Sequence, residues 1–194
     1  MKSIYNFVVA PKGQRYNNTK KVGDKELILN TEVYNHQFVN REAVVVSIPM
    51  IGDNMGIKPG DTIITHFNVF RRWHNVRGVE KNSKSYFNEN TYIVNFDQIF
   101  LYKRDKDWIT PKGYCFIQPI KNTDKYSLDK EKQNTGIVKY SDGTVNVGDM
   151  IGYKPKTACE FIIDNIKLYR ILSNLITIKY EYQGNEETYN PSWA

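Results

Sequence analysis

The chain has 194 residues, 40% of them hydrophobic and 13% aromatic, which is enough apolar material for one large core or two small ones and excludes a wholly disordered chain. Lysine and arginine outnumber aspartate and glutamate 27 to 21, a formal net charge of +6, yet the two signs interleave along most of the chain as on a solvated surface, so charge alone assigns no nucleic-acid partner. No apolar run approaches the length of a bilayer-crossing helix and residues 1–6 lack the apolar centre of a secretory signal, so the expectation is a soluble cytoplasmic protein with no membrane role.

Fourteen tyrosines and nine phenylalanines stand beside many Val, Ile and Thr, a balance that favours strands over helices. Residues 4–10 read as a first strand stopped by Pro11, which has no N–H for a ladder. Residues 12–25 follow as a long polar loop. Glu26-Leu27-Ile28-Leu29-Asn30-Thr31 is then a short apolar island, readable either as a loop tip or as one more strand, since its residues alternate. Residues 43–47 form the next strand, and a turn-rich stretch over 48–56 leads to Ile57-Lys58-Pro59-Gly60-Asp61-Thr62-Ile63-Ile64, where a Gly-Asp turn separates two apolar runs. Past it lies a basic, aromatic segment at 67–78, then a hairpin over 86–94 turning at residues 88–90 and a strand at 96–102. The charges of residues 103–107 mark a boundary.

The pattern then restarts. Residues 113–118 run to Pro119 as residues 6–10 run to Pro11. Gly148-Asp149 sits between apolar runs as Gly60-Asp61 does. The hairpin over 161–171 answers that over 86–94, and residues 172–178 answer 95–101. Four landmarks recurring in order indicate a duplicated β-module, with a first module over 1–104, a second over 105–183 and a polar tail over 184–194.

This ordered pattern resembles the GroES-like co-chaperonins (the chaperonin-10 family), including tandem forms carried by bacteriophages. The second module carries the resemblance most closely, in Gly136-Ile137-Val138, Val147-Gly148-Asp149-Met150-Ile151 and Asn174-Leu175-Ile176. The first carries it in Glu42-Ala43-Val44-Val45-Val46, in the Gly60-Asp61 stretch and in Asp97-Gln98-Ile99. What the resemblance implies is an all-β chain of two tandem small β-barrels, homo-oligomeric, that caps a GroEL-like chaperonin ring and assists protein folding. Leu27, Ile28 and Leu29 take the place of the family's aliphatic loop tip, which docks in an apolar groove of the ring. The second loop, residues 122–134, has Leu128 as its one aliphatic and is not expected to dock. The short 48–55 stretch and the 67–78 insertion depart from the family pattern.

Other chemistry finds little footing. Phe70, Arg71, Arg72, Trp73, His74 and Arg77 interleave cations with aromatics, which suits a partner-binding patch for an acidic protein surface or, less favourably, for nucleic acid. His36, His66 and His74 lack metal-ligand spacing, Cys115 and Cys159 read as small core residues, and no nucleophile-elbow or phosphate-loop motif occurs, so no catalytic group, metal or cofactor is expected. Gly60, Asp61, Gly148 and Asp149 read as structural turns. Two functional readings remain open: a co-chaperonin lid, and a non-enzymatic structural component of a virion or other assembly built on the same double module.

Overall fold

A computed structural model describes residues 2–16, 19–28, 38–124, 126–181 and 184–192. Apart from short 3-10 turns such as Phe67–Val69, Phe96–Gln98 and Ser173–Leu175, the regular elements among the described residues are strands, numbered β1 to β17. In the first half these are β1 (Phe7–Pro11), β2 (Thr19–Val22), β3 (Lys25–Ile28), β4 (Glu42–Ser47), β5 (Thr62–Thr65), β6 (Arg72–His74), β7 (Glu80–Asn82), β8 (Tyr86–Asn88), β9 (Thr91–Val94), β10 (Ile99–Arg104) and β11 (Asp107–Ile109). In the second they are β12 (Tyr114–Lys121), β13 (Glu131–Tyr140), β14 (Met150–Tyr153), β15 (Cys159–Ile163), β16 (Ile166–Leu172) and β17 (Ile176–Lys179). The chain divides into two compact units, residues 1–109 and 110–194.

Unit 1 is built on a seven-stranded antiparallel sheet in the order β11-β10-β5-β4-β1-β9-β8, unit 2 on a six-stranded one in the order β15-β16-β12-β13-β14-β17. The two orders are one order read from opposite ends: β8, β9, β1, β4, β5 and β10 correspond to β15, β16, β12, β13, β14 and β17. Register agrees residue by residue. Ala43 faces Ile63 and Val44 faces Thr62, as Gly136 faces Ile151 and Ile137 faces Met150. Each unit also breaks register at the same place, between Val8 and Val9 in β1 and between Phe116 and Ile117 in β12. An irregularity repeated at an equivalent position is a built feature that re-aims the strand. Both sheets are open ladders among the described residues, with no pairing that joins β8 to β11 or β15 to β17, so the fold is all-β and these residues form no closed barrel.

Alternation explains the burial. In β4 the side chains of Ala43 and Val45 go inward while Val44 and Val46 are more exposed, the period of two that a half-buried strand requires. The core of unit 1 gathers Phe7, Val9, Val45, Ile63, Phe70, Tyr92 and Ile99; that of unit 2 includes Ile117, Val138, Ile151 and Ile171.

The Gly-Asp step is the clearest repeated device. Gly60 and Gly148 both hold φ at +92° and both donate their N–H to a β-strand carbonyl, Val45 at 2.8 Å and Val138 at 2.9 Å. Asp61 Oδ2 accepts the N–H of Lys58 at 2.9 Å, and Asp149 Oδ2 accepts that of Asn146 at 3.0 Å. Each carboxylate then meets a cation from the last residue of the strand that pairs with the one it precedes, Arg104 of β10 at 2.8 Å and Lys179 of β17 at 2.8 Å.

The polar tail also has contacts. Residue 188 pairs antiparallel with Ile120, and Glu187 and Tyr189 bond the backbone of β12, so the tail runs along unit 2 as a short added strand.

Candidate docking hairpin and its neck

Between β1 and β4 the chain leaves the sheet. Among the described residues β2 and β3 pair only with each other, in the register Thr19 to Ile28 and Val22 to Lys25. The two-residue turn between them is Gly23-Asp24, and Gly23 takes the positive φ (+62°) that a tight hairpin demands at its first central position. The expected polar loop over 12–25 is therefore half a hairpin, and the expected apolar island supplies its second strand. Of the two alternatives set out above, Leu27 and Ile28 take the strand, and the turn of the hairpin is Gly23-Asp24.

Leu27 and Ile28 are 56% and 60% exposed, and Val22, across the turn, is 59% exposed. Adjacent residues point to opposite faces, so Leu27 and Ile28 lie on different sides of the hairpin, while Val22 lies diagonally across from Leu27 on the same side. Leu29 lies outside the described residues. Val22 was not picked out from the sequence, because the runs on either side of Gly23-Asp24 carry no hydrophobic period.

The base of this projection is closed. Tyr16 bridges to Val39, and the Asn40 N–H donates to the Arg15 carbonyl at 2.9 Å. The buried side chain of Asn40 donates to the carbonyls of Lys12 and Gln14, both at 2.8 Å, and accepts the Glu42 N–H at 3.0 Å. One amide thus satisfies three backbone groups where the loop departs and returns, which a segment leaving a sheet must arrange.

The basic, aromatic segment braces the neck. Arg15 donates Nη1 to Asn82 Oδ1 at 2.8 Å and Nη2 to the Phe70 carbonyl at 3.1 Å. Its guanidinium lies 5.5 and 5.6 Å from the ring centroids of Tyr86 and Tyr92. The Arg72 N–H donates to the Tyr16 hydroxyl at 2.8 Å, and the Arg72 guanidinium stands 5.0 Å over the Tyr16 ring. The six residues expected to form one surface patch are accordingly divided. Phe70 is fully buried, edge-on to Tyr92 at 4.6 Å, and belongs to the core. Arg72 faces Tyr16 and Glu80; Arg71, Trp73 and His74 are half-buried; Arg77 is exposed in the turn of the β6–β7 hairpin. The sequence pattern counted cations and rings without the strand alternation that sends neighbours to opposite sides.

No family model matches the chain. No curated protein matches it either.

The remaining predicted positions are quickly placed. Gly60, Asp61, Gly148 and Asp149 hold the turns described above. Burial by itself would raise the Asp61 carboxyl, but Arg104 and the Lys58 N–H together outweigh it and hold it below its ordinary value; Lys179, with the Asn146 N–H, holds Asp149 below its own. Among the described residues no group of three or more His, Cys, Asp and Glu is placed to hold a metal ion, and no helix is long and apolar enough to cross a membrane. In the second loop, Leu128 is fully exposed together with Tyr126.

Proposed function

We propose that the chain is a protein-binding module of the co-chaperonin kind, which docks on a chaperonin ring through the β2–β3 hairpin and assists folding there without chemistry of its own. The observation that carries this reading is the hairpin: three exposed aliphatics, Val22, Leu27 and Ile28, on a projection that makes no pairing with the sheet among the described residues and is clamped at its base. Solvent-held aliphatics on a short β-hairpin suit insertion into an apolar groove, with an ordering cost that keeps binding reversible. The doubled Gly-Asp turn supports the tandem GroES-like architecture behind the reading.

The test is binding to a GroEL-like ring with and without nucleotide. Leu27→Asp combined with Ile28→Asp lowers affinity at least about tenfold, since central apolar anchors carry most of the energy of such contacts. Because both side chains are exposed, the same change moves folding stability by no more than about 0.5 kcal/mol. Binding that survives the double substitution sinks the docking assignment.

A second reading, a structural component of a virion or other assembly, draws on a different surface. Ile4, Tyr5, Met50 and Ile51 are all more than half exposed and are tied together where the Met50 and Ile51 N–H groups donate to the carbonyls of Ser3 and Ile4, at 3.1 and 2.9 Å. An apolar edge of this kind marks a contact with a neighbouring subunit. The mass of the particle in solution separates the readings: a closed homo-oligomer that binds the ring supports the lid, and a monomer that joins only a larger particle supports the assembly component.

A further inference from the structure

Unit 2 contains a filled groove whose counterpart in unit 1 is open. Strand β16 pairs with β12 only as far as Ile117, and β9 pairs with β1 only as far as Val9, the register equivalent. Beyond that point neither β9 nor β16 covers the edge of its central strand, and in unit 1 no strand among the described residues pairs there. In unit 2 the tail takes the place: the Lys121 N–H donates to the Glu187 carbonyl at 2.8 Å and the Tyr189 N–H to the Pro119 carbonyl at 2.8 Å. Asn190 accepts the Lys167 N–H at 2.9 Å and donates to the Asn165 carbonyl at 2.8 Å. Two glutamates of the tail find lysines, Glu187 with Lys121 at 2.9 Å and Glu186 with Lys132 at 3.1 Å.

Pro119 faces Gly136 as Pro11 faces Ala43, so Pro11 and Gly13 are the counterparts of the two residues whose backbones hold the tail. Counting back from the paired tyrosines, Tyr169 and Tyr92, makes Asn90 the counterpart of Lys167. Pro11, Gly13 and Asn90 all line a cavity of about 410 Å³ in unit 1, together with Arg15, Arg72 and Glu89. Gly13, at φ +92°, turns the chain off the line of β1, and the neck then forms the opposite wall. Two guanidiniums, of Arg15 and Arg72, and one carboxylate, of Glu89, line it; Glu89 already accepts from the Tyr86 hydroxyl at 2.9 Å, and Arg72 Nη1 also meets Glu80 at 3.4 Å. The Arg72 Nε, shielded from solvent, has no hydrogen-bond acceptor among the described residues.

We infer that this cavity is a strand-binding groove: it takes an extended, acidic segment of a partner protein, added beside the end of β1 as the tail is added beside β12. Addition of a strand to an open edge draws affinity from main-chain bonds and specificity from the flanking side chains. The chain's own tail, with Glu186-Glu187 followed by Thr188-Tyr189-Asn190, is the template for the occupant's chemistry. The inference does not depend on ring docking, since the groove lies at the foot of the neck and involves neither Leu27 nor Ile28.

The experiment is titration of the full-length protein with a fluorescent, end-capped peptide of residues 184–192, followed by anisotropy and by backbone amide shifts. Saturable binding with shifts at Gly13 and Asn90 is expected. Arg72→Glu in the protein, or Glu186→Lys with Glu187→Lys in the peptide, weakens it about tenfold or more, as removal of a facing charge does. Arg77→Glu, which changes the net charge equally but lies outside the groove, leaves binding unchanged. If the amide spectrum shows Arg72→Glu to be misfolded, Arg72→Gln takes its place. Absence of saturation overturns the inference, as does equal weakening by the Arg72 and Arg77 variants. Shifts confined to Lys121 and Lys167 overturn it too, because the peptide is then exchanging with the resident tail. Concentration-dependent dimerisation with shifts at Gly13 in the absence of peptide makes a second copy the occupant and overturns the assignment to a partner.

Discussion

Asp61 and Asp149 perform one task with different cations. Each accepts a backbone N–H three residues upstream and meets a positive charge from the end of the sheet, so each is held below the ordinary carboxylate value. A carboxyl whose folded value is depressed stabilises the fold above its unfolded value and ceases to do so as pH falls through the folded one. Asp61→Asn is therefore expected to cost about 1–3 kcal/mol at neutral pH, the range for losing a charge-assisted bond at a shielded site. The gap between wild type and variant then closes below about pH 4, near the ordinary aspartate value. Urea unfolding at pH 7 and pH 3 measures both; a gap of the same size at the two pH values would show that Arg104 is not the cause. The Gly-Asp pairs were legible in the sequence as a repeat. Their cations were not, because Arg104 stands 43 positions from Asp61 and no local pattern links them. Two equivalent tyrosines, one buried and one half-buried, show the same asymmetry. Tyr92 and Tyr169 occupy equivalent positions and burial pushes both phenols up, Tyr92 to about 12, yet only Tyr169 donates its hydroxyl to a carboxylate, Glu131 at 2.5 Å.

At the scale of elements, what could be read from the sequence were the strands with one buried face. β1, β4, β5 and β12 alternate or run apolar to a proline or a Gly-Asp turn, and all lie near the positions expected. The β2–β3 hairpin was hidden because neither face is buried: Thr-Lys-Lys-Val and Lys-Glu-Leu-Ile offer no hydrophobic period for a pattern to detect. The β6–β7 hairpin was hidden in the same way within a segment expected to be a patch. Close packing between β12 and β13 leaves a more specific mark. A Cβ on Gly136 would lie 2.7 Å from the Gln118 carbonyl oxygen and 2.8 Å from Ile117 Cδ1. Gly136→Ala is therefore expected to destabilise the chain by about 1–3 kcal/mol, as overpacking a filled site does. The counterpart, Ala43, already carries the methyl in unit 1, so the two strand pairs have settled at different closeness in an otherwise shared register. Thermal unfolding of the variant decides the point: an unchanged midpoint would mean that β12 yields.

For the molecule as a whole, two units with separate cores are expected to unfold without a single two-state transition. Phe70→Ala removes a fully buried ring from unit 1 and is expected to cost about 3–5 kcal/mol. Calorimetry should show one component moving and a second, from unit 2, staying in place; one transition shifting as a block would mean that the units unfold together. The duplication was legible because four landmarks recur in order, and the shared strand order now gives each landmark a place. Closure into barrels was an expectation of the resemblance, and the open ladders depart from it. The unequal parts were the least legible: a long loop with a hairpin in one unit, a short loop and a tail strand in the other. Sequence repetition exposes what two copies share, and these elements are where the copies diverged.

The amide of Asn40 also bears on how such a chain can change over time. By closing the neck between residues 12 and 42, it separates the projecting segment from the ladder beneath it. Lengthening, shortening or rewriting the hairpin then leaves the register of β1 and β4 untouched. The projection is in effect an exchangeable cassette, free to vary in sequence and length while the scaffold stays under the constraints of packing.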